Sequence, residues 1–217
     1  MPLTADRISH SYGGGKQILD DVSLEVADGE SVALMGPSGS GKTTLLSIMG
    51  LLLRPSTGRV LIDATAVPET GSRREAIRSA AVGWIFQTTN ALGRRTTLEN
   101  AALGLLAAGR SLTDAESSAR RALNDVGLAE VADMPARSLS GGELQRMCVA
   151  RALTSEPRFI LADEPTGQLD RATSVVVLDA LWAVASDRGV GIVVATHDTL
   201  VAERCGRVVT IVDGRLA

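Results

Sequence analysis

The segment Gly36-Pro37-Ser38-Gly39-Ser40-Gly41-Lys42-Thr43 places two glycines five positions apart, then a lysine and a threonine. It ends a short apolar run, Ser31 to Met35, and precedes a helical face of Leu45, Leu46, Ile48 and Met49. Strand, tight loop and helix in that order commit the chain to an α/β core. Glycines let the backbone curl so that several N–H groups converge, and the helix N-terminus adds the positive end of its dipole. Such a cradle binds phosphate oxygens. Lys42 is then placed to reach the β and γ phosphates of a nucleoside triphosphate, and Thr43 supplies a hydroxyl for Mg²⁺. Gly36 to Thr44 are the candidate nucleotide-binding residues. Lys42 and Lys16 are the only lysines, in a chain that otherwise uses arginine.

Carboxylates decide what a phosphate cradle does. The apolar run Phe159-Ile160-Leu161-Ala162 ends in Asp163 and Glu164, which puts two acids at the carboxyl edge of a sheet, where ligands of open α/β sheets bind. Asp163 is the candidate Mg²⁺ holder and Glu164 the candidate base for an attacking water. The plainer reading is an acid pair opening a helix, since Pro165 follows.

Arg158 to Ala162 and Val190 to Ala195 are nearly all apolar, as buried parallel strands are. Arg59 to Ile62 and Val82 to Phe86 read as further strands, and Val22, Leu24 and Val26 alternate with polar residues before a turn at Ala27-Asp28-Gly29-Glu30. Between Thr88 and Glu156 the spacing is helical, over Thr97 to Ala108, Thr113 to Val126 and Glu143 to Leu153. The sequence closes with a hairpin, Arg207 to Val212 and Arg215-Leu216 around Asp213-Gly214. The expected organisation is a single domain over 1–217, with a nucleotide-binding core at 1–87 and 157–217 and a helical insert at 88–156.

With 45% hydrophobic and 22% charged residues, 217 residues suffice for one globular unit. A formal charge of −3 carries no global positive field, which disfavours nucleic acid as a partner. The longest apolar stretches, such as Leu45 to Leu53, fall far short of the roughly 20 residues a bilayer span needs, so no direct membrane insertion is expected. Asp6, Arg7 and His10 stand where a secretory signal would need an apolar core, so a cytoplasmic location is expected. Cys148 and Cys205 read as reduced thiols.

In their order, these and five further motifs resemble the ATP-binding subunits of ABC transporters across essentially the whole chain. Leu139-Ser140-Gly141-Gly142-Glu143 looks like the family signature, which implies contact with the γ-phosphate held by an opposing subunit. Taken as residues alone, Ser140, Gly141 and Gly142 form a second anion-binding helix start or an ordinary cap by Ser140. Tyr12 lies where the family stacks an aromatic on adenine, with a core-covering strand aromatic as the alternative. Gln87 resembles the glutamine that contacts Mg²⁺ and water at the junction with the helical insert; a surface-loop glutamine is the plainer reading. His197, in Thr196-His197-Asp198, is similar to the histidine that contacts the γ-phosphate and supports Glu164. Asp170, in Gly167-Gln168-Leu169-Asp170, resembles the loop that couples two nucleotide sites, and reads equally as an N-cap for a helix from Arg171.

Ala162 to Asp170 is most similar to the branch that serves lipoprotein release, macrolide export, antimicrobial-peptide resistance and cell-division signalling. Gln168 replaces that branch's usual asparagine, and Thr88 to Thr97 lacks the apolar, proline-containing segment relatives use. The resemblance implies a P-loop NTPase core with a mostly parallel sheet, an N-terminal antiparallel β subdomain and an inserted α-helical subdomain. It implies ATP and Mg²⁺ as ligands and a homodimer or paralogous pair. It also implies a separate transmembrane permease, with the chain held peripherally on the cytoplasmic face. A chromosome-organising relative would carry a long coiled coil between Lys42 and Asp163, where no heptads are sustained. A non-transport ATPase with a soluble partner is the alternative.

Overall fold

The computed structural model describes residues 2–13 and 15–217. Two sheets carry the fold. The first is antiparallel, in the order β2 (Gln17–Val26), β1 (Leu3–Ser11), β4 (Thr57–Ile62), β5 (Thr65–Ala66). The second runs β10 (Arg215–Leu216), β9 (Arg207–Val212), β3 (Ser31–Met35), β8 (Gly191–Ala195), β7 (Phe159–Asp163), β6 (Val82–Ile85). Its neighbours pair in parallel except at the closing β9–β10 hairpin.

Alternation along the central strands builds two cores, because successive side chains leave a strand on opposite faces. Phe159 and Leu161 of β7, with Val193 and Ala195 of β8, join helix α1 (Lys42–Met49) and the inner face of the antiparallel sheet. Ile160, Ala162, Ile192 and Val194 face the other way. There they meet four helices: α3 (Thr97–Ala107), α4 (Leu112–Asp125), α5 (Gly141–Leu153) and α6 (Arg171–Arg188). The near-continuous burial of β7 and β8 is what a strand covered on both faces requires.

Arg158, just ahead of β7, staples the two sheets. Its guanidinium donates to Asp63 at 2.7 and 2.9 Å and to Asp28 at 3.0 Å, residues in turns at the ends of β4 and β2. Hydrogen bonds from Arg158 hold the Asp63 carboxyl below its ordinary value.

The sequence reading names neither β1 nor β5, and it differs at two helices as well. Helix α2 (Ser72–Ala81) arises in a stretch that has no apolar periodicity, because of its residues only Arg74 and Ala81 are buried. Arg74 anchors it by donating to the carbonyls of Leu53 and Pro68. Helix α5 starts at Gly141, two residues before the expected Glu143.

Candidate functional site

A cleft of about 690 Å³ opens at the carboxyl ends of β3 and β7. The glycine loop forms its floor, and two glycines there are dictated by the fold. A Cβ on Gly36 would collide with the Ile211 carbonyl of β9, and one on Gly41 would press on Leu19 of β2. Both also have positive φ, at 146° and 106°, a region that side chains disfavour.

Pro37, Ser38, Gly39, Lys42, Thr43 and Thr44 line the cleft with these glycines. Lys42 Nζ donates to the carbonyls of Gly36 at 2.8 Å and Pro37 at 3.0 Å, so its ammonium sits over the loop. Ser40 is buried. It does not line the cleft. Its hydroxyl is buried without a partner and its N–H donates to Pro37.

Thr43 Oγ1 donates to Asp163 Oδ1 at 3.2 Å, bringing together a hydroxyl and a carboxylate from elements far apart in sequence. Burial pushes the Asp163 carboxyl above its ordinary value, against the pull of the Thr43 bond, and neighbouring Glu164 adds to the rise. A pair of oxygens biased in this way fits a hard divalent cation, whose charge would favour the ionised acid.

Glu164 is not the first turn of a helix, since the next one, α6, starts only at Arg171. It takes a left-handed backbone, φ 45°, and its N–H donates to Ala195 of β8. Non-glycine residues hold that conformation only where their surroundings enforce it. Here the consequence is visible: the carboxylate turns toward the end of β8. Oε1 accepts from His197 Nδ1 at 2.7 Å, and Oε2 accepts from the Thr196 hydroxyl at 3.2 Å. The Glu164 side chain is 15% exposed and that of His197 76%.

Gln87, an exposed residue just beyond β6, lines the cleft beside Glu164 and His197. Tyr12 lines it too, 55% exposed, so it does not cover the core. Its phenol lies 3.3 Å from Thr44 Oγ1.

Four residues carried over with these stand elsewhere: Ser140, Gly141, Gly142 and Asp170 are not part of the cleft lining. Ser140 caps α5 in a reciprocal box, accepting from the Glu143 N–H while Glu143 accepts from the Ser140 N–H and hydroxyl. Gly141 and Gly142 let the α5 start press on the α6 start, where a Cβ on Gly142 would collide with Thr173 Cγ2. Asp170 caps α6, accepting from Thr173 N at 3.0 Å. Both caps are therefore present in this chain.

Two sets of residues were missed. Thr196 is fully buried and bridges the site, donating to Glu164 and accepting from the Asp198 N–H at 3.0 Å. Its place before His197 was the available signal. Arg151 and Cys148, from α5, both donate to the Thr89 carbonyl, at 2.8 and 3.3 Å, two residues beyond Gln87. No local pattern announces that contact.

A family model described as ABC transporter matches residues 19–167. The chain belongs to the ABC transporter family. The cassette is 42% identical to the Caulobacter vibrioides lipoprotein-releasing system ATP-binding protein LolD 2, over 97% of this chain and 93% of that one. It is also 42% identical to the Bacillus subtilis ABC transporter ATP-binding protein YvrO, over 99% and 95%. Among solved structures it is similar to the dimeric structure of MJ0796, a bacterial ABC transporter cassette, with TM-score 0.87, 35% identity and coverage of 99% and 96%. MJ0796 is also known in a post-hydrolysis dimer bound to ADP and Pi, to which the cassette is 34% identical with TM-score 0.87 over 99% and 96%. The cassette is an ATP-binding, ATP-hydrolysing subunit built on the P-loop α/β fold. No helix among the described residues is long and apolar enough to cross a membrane.

Proposed function

We propose that two cassettes close head to tail around two ATP molecules and that this closure, reversed by hydrolysis, drives a separate transmembrane permease. The observation that carries the reading is the clamp on Glu164: one carboxylate, both oxygens held by β8-end residues, facing the cleft that Lys42, Thr43 and Asp163 also face.

Gly36 to Thr44 bind the triphosphate through loop N–H groups and the Lys42 ammonium. Thr43, Asp163 and Gln87 would hold Mg²⁺, which supplies charge neutralisation between the β and γ phosphates. Glu164 accepts the proton of the attacking water, and His197 keeps the Glu164 carboxylate aimed while facing the γ-phosphate. Ser140 to Gly142 of one copy complete the site of the other, with a capped helix start directed at phosphate. That role is consistent with their absence from their own chain's cleft. Asp170, at the α6 cap, lies beside that same α5 start and links the two sites. Residues 88–156 act as the lever and meet the permease on the cytoplasmic face of the membrane, to which the cassette is peripheral. Relatives named as lipoprotein-releasing proteins support an exporting or force-transmitting permease.

Glu164→Gln tests this. A general base contributes on the order of 100-fold or more, so turnover should fall by at least about that factor while ATP binding persists. With ATP and Mg²⁺ the variant should elute as a dimer in size-exclusion chromatography. Full ATPase activity would overturn the assignment. Purified from detergent-solubilised membranes, the same variant should retain a permease, whereas a soluble partner alone would favour a non-transport ATPase.

A further inference from the structure

His10 is one of two histidines in the chain, and it is buried near the end of β1, 7% exposed. Leucine or phenylalanine would fill such a volume without bringing polar atoms, so its nitrogens need an account. Nδ1 lies 3.4 Å from Ser56 Oγ, which already accepts from the Ser11 N–H at 3.2 Å. That contact accounts for Nδ1, whichever of the two atoms donates. Nε2 is buried and has no hydrogen-bond partner.

What the geometry offers His10 is the Tyr12 ring. The two centroids are 4.7 Å apart with the planes at 87°, the edge-on arrangement in which a positive ring edge meets a negative π face. Tyr12 is thereby fixed at two points, its flank by His10 and its phenol by Thr44 of α1, although more than half of it is exposed to the cleft. An exposed aromatic held at one point only would sample other rotamers, and freezing them would weaken whatever stacked on it.

We infer that His10 is a positioning residue for the base platform, holding Tyr12 upright so that adenine can stack on it; this rests on reading Tyr12 as the adenine contact. His10 itself lines none of the cleft, so it acts through Tyr12. Its effect must then be confined to the base-dependent part of nucleotide affinity.

The experiment is a calorimetric titration of each variant with Mg²⁺-ADP and with Mg²⁺-pyrophosphate, the ratio of the two dissociation constants giving the base contribution. Tyr12→Ala sets the scale. His10→Gln keeps a group for Ser56 but removes the ring, and should shrink the ratio by about two- to tenfold, the range expected of one edge-to-face aromatic pair. His10→Phe restores an aromatic ring and should recover most of the loss even though it cannot bond Ser56. In the Tyr12→Ala background, His10→Gln should shrink the ratio no further. Should Tyr12→Ala leave the ratio intact, Tyr12 is not the base platform and both readings fall. If Tyr12→Ala collapses the ratio while His10→Gln does not move it, the platform stands and the positioning role of His10 is refuted. Equal weakening of ADP and pyrophosphate by His10→Gln also refutes it, as the signature of a general structural defect, and a thermal melt of each variant identifies that case directly.

Discussion

Replacing Thr196 with valine keeps the buried volume and deletes one hydroxyl, which isolates what that hydroxyl does. Two bonds go: the donation to Glu164 Oε2 at 3.2 Å and the acceptance from Asp198 N–H at 3.0 Å. A hydrogen bond to a charged group is worth about 1.5–3 kcal/mol and a neutral one about 0.5–1.5. The added methyl returns about 0.8 kcal/mol of burial. The net loss is on the order of 1–4 kcal/mol, and at roughly 2–4 °C per kcal/mol for a domain of this size the melting temperature should fall measurably, by several degrees. The larger consequence is catalytic. With Oε2 released, Glu164 is held only by His197, whose side chain is largely exposed. Losing about 1.5–3 kcal/mol of orientation corresponds to roughly a 10- to 100-fold drop in kcat. Thr196 lines none of the cleft, so the dissociation constant for ATP should stay within about twofold. Steady-state ATPase assays with a nucleotide titration decide the matter. Wild-type kcat in a folded Thr196→Val protein would show that the clamp does not set the position of Glu164, and an equal loss in ATP affinity would show that the β8 end shapes the binding cleft instead.

Two more perturbations follow from the same geometry. Because burial raises the Asp163 carboxyl above its ordinary value, its ionised form costs stability at neutral pH, a cost relieved as pH falls through the folded-state value. Asp163→Asn should therefore raise the nucleotide-free melting temperature at pH 7 while abolishing ATP hydrolysis; a lowered melting temperature in calorimetry refutes the sign. Gly142→Ala should destabilise the α5–α6 contact, since the new Cβ meets Thr173 Cγ2, by about 1–3 kcal/mol as an overpacking change. Adding Thr173→Ser removes that methyl and keeps the hydroxyl that Asp170 accepts from, so denaturant midpoints should recover in the double variant and stay low if the clash is elsewhere.

What could be read from the sequence is what lies close together along the chain. The glycine loop, the acids ending β7 and the cap at Ser140 are all short-range patterns whose residue types state their own chemistry. The assembly of the glycine loop and the β7 acids into one cleft was also legible, because strands of an open parallel sheet deliver their carboxyl ends to the same edge. Long-range approach was not. The partner of Arg158 at position 63 and the carbonyl at Thr89 held from α5 depend on register between elements rather than on local spacing. Helix α2 escaped for a different reason. Its interior anchor is an arginine whose donors reach backbone carbonyls, and such a helix has no apolar stripe to detect.

The same distinction bears on how one chain can link two chemically separate regions. Helix α5 carries Ser140 to Gly142 at its start, pressed on the α6 start that Asp170 caps. Two to three turns later the same helix donates from Cys148 and Arg151 to the Thr89 carbonyl, beyond Gln87. An α-helix resists bending over this length because each turn is held by its own backbone bonds. A rotation of α5 that moves Ser140 to Gly142 must therefore carry the segment after Gln87 along or break both bonds at Thr89. Thr89 has no side-chain chemistry that a motif could record, since only its backbone oxygen takes part. The link between the two regions is thus a property of helix rigidity and one carbonyl, and it becomes visible only when the strand, the loop and the helix are seen in place.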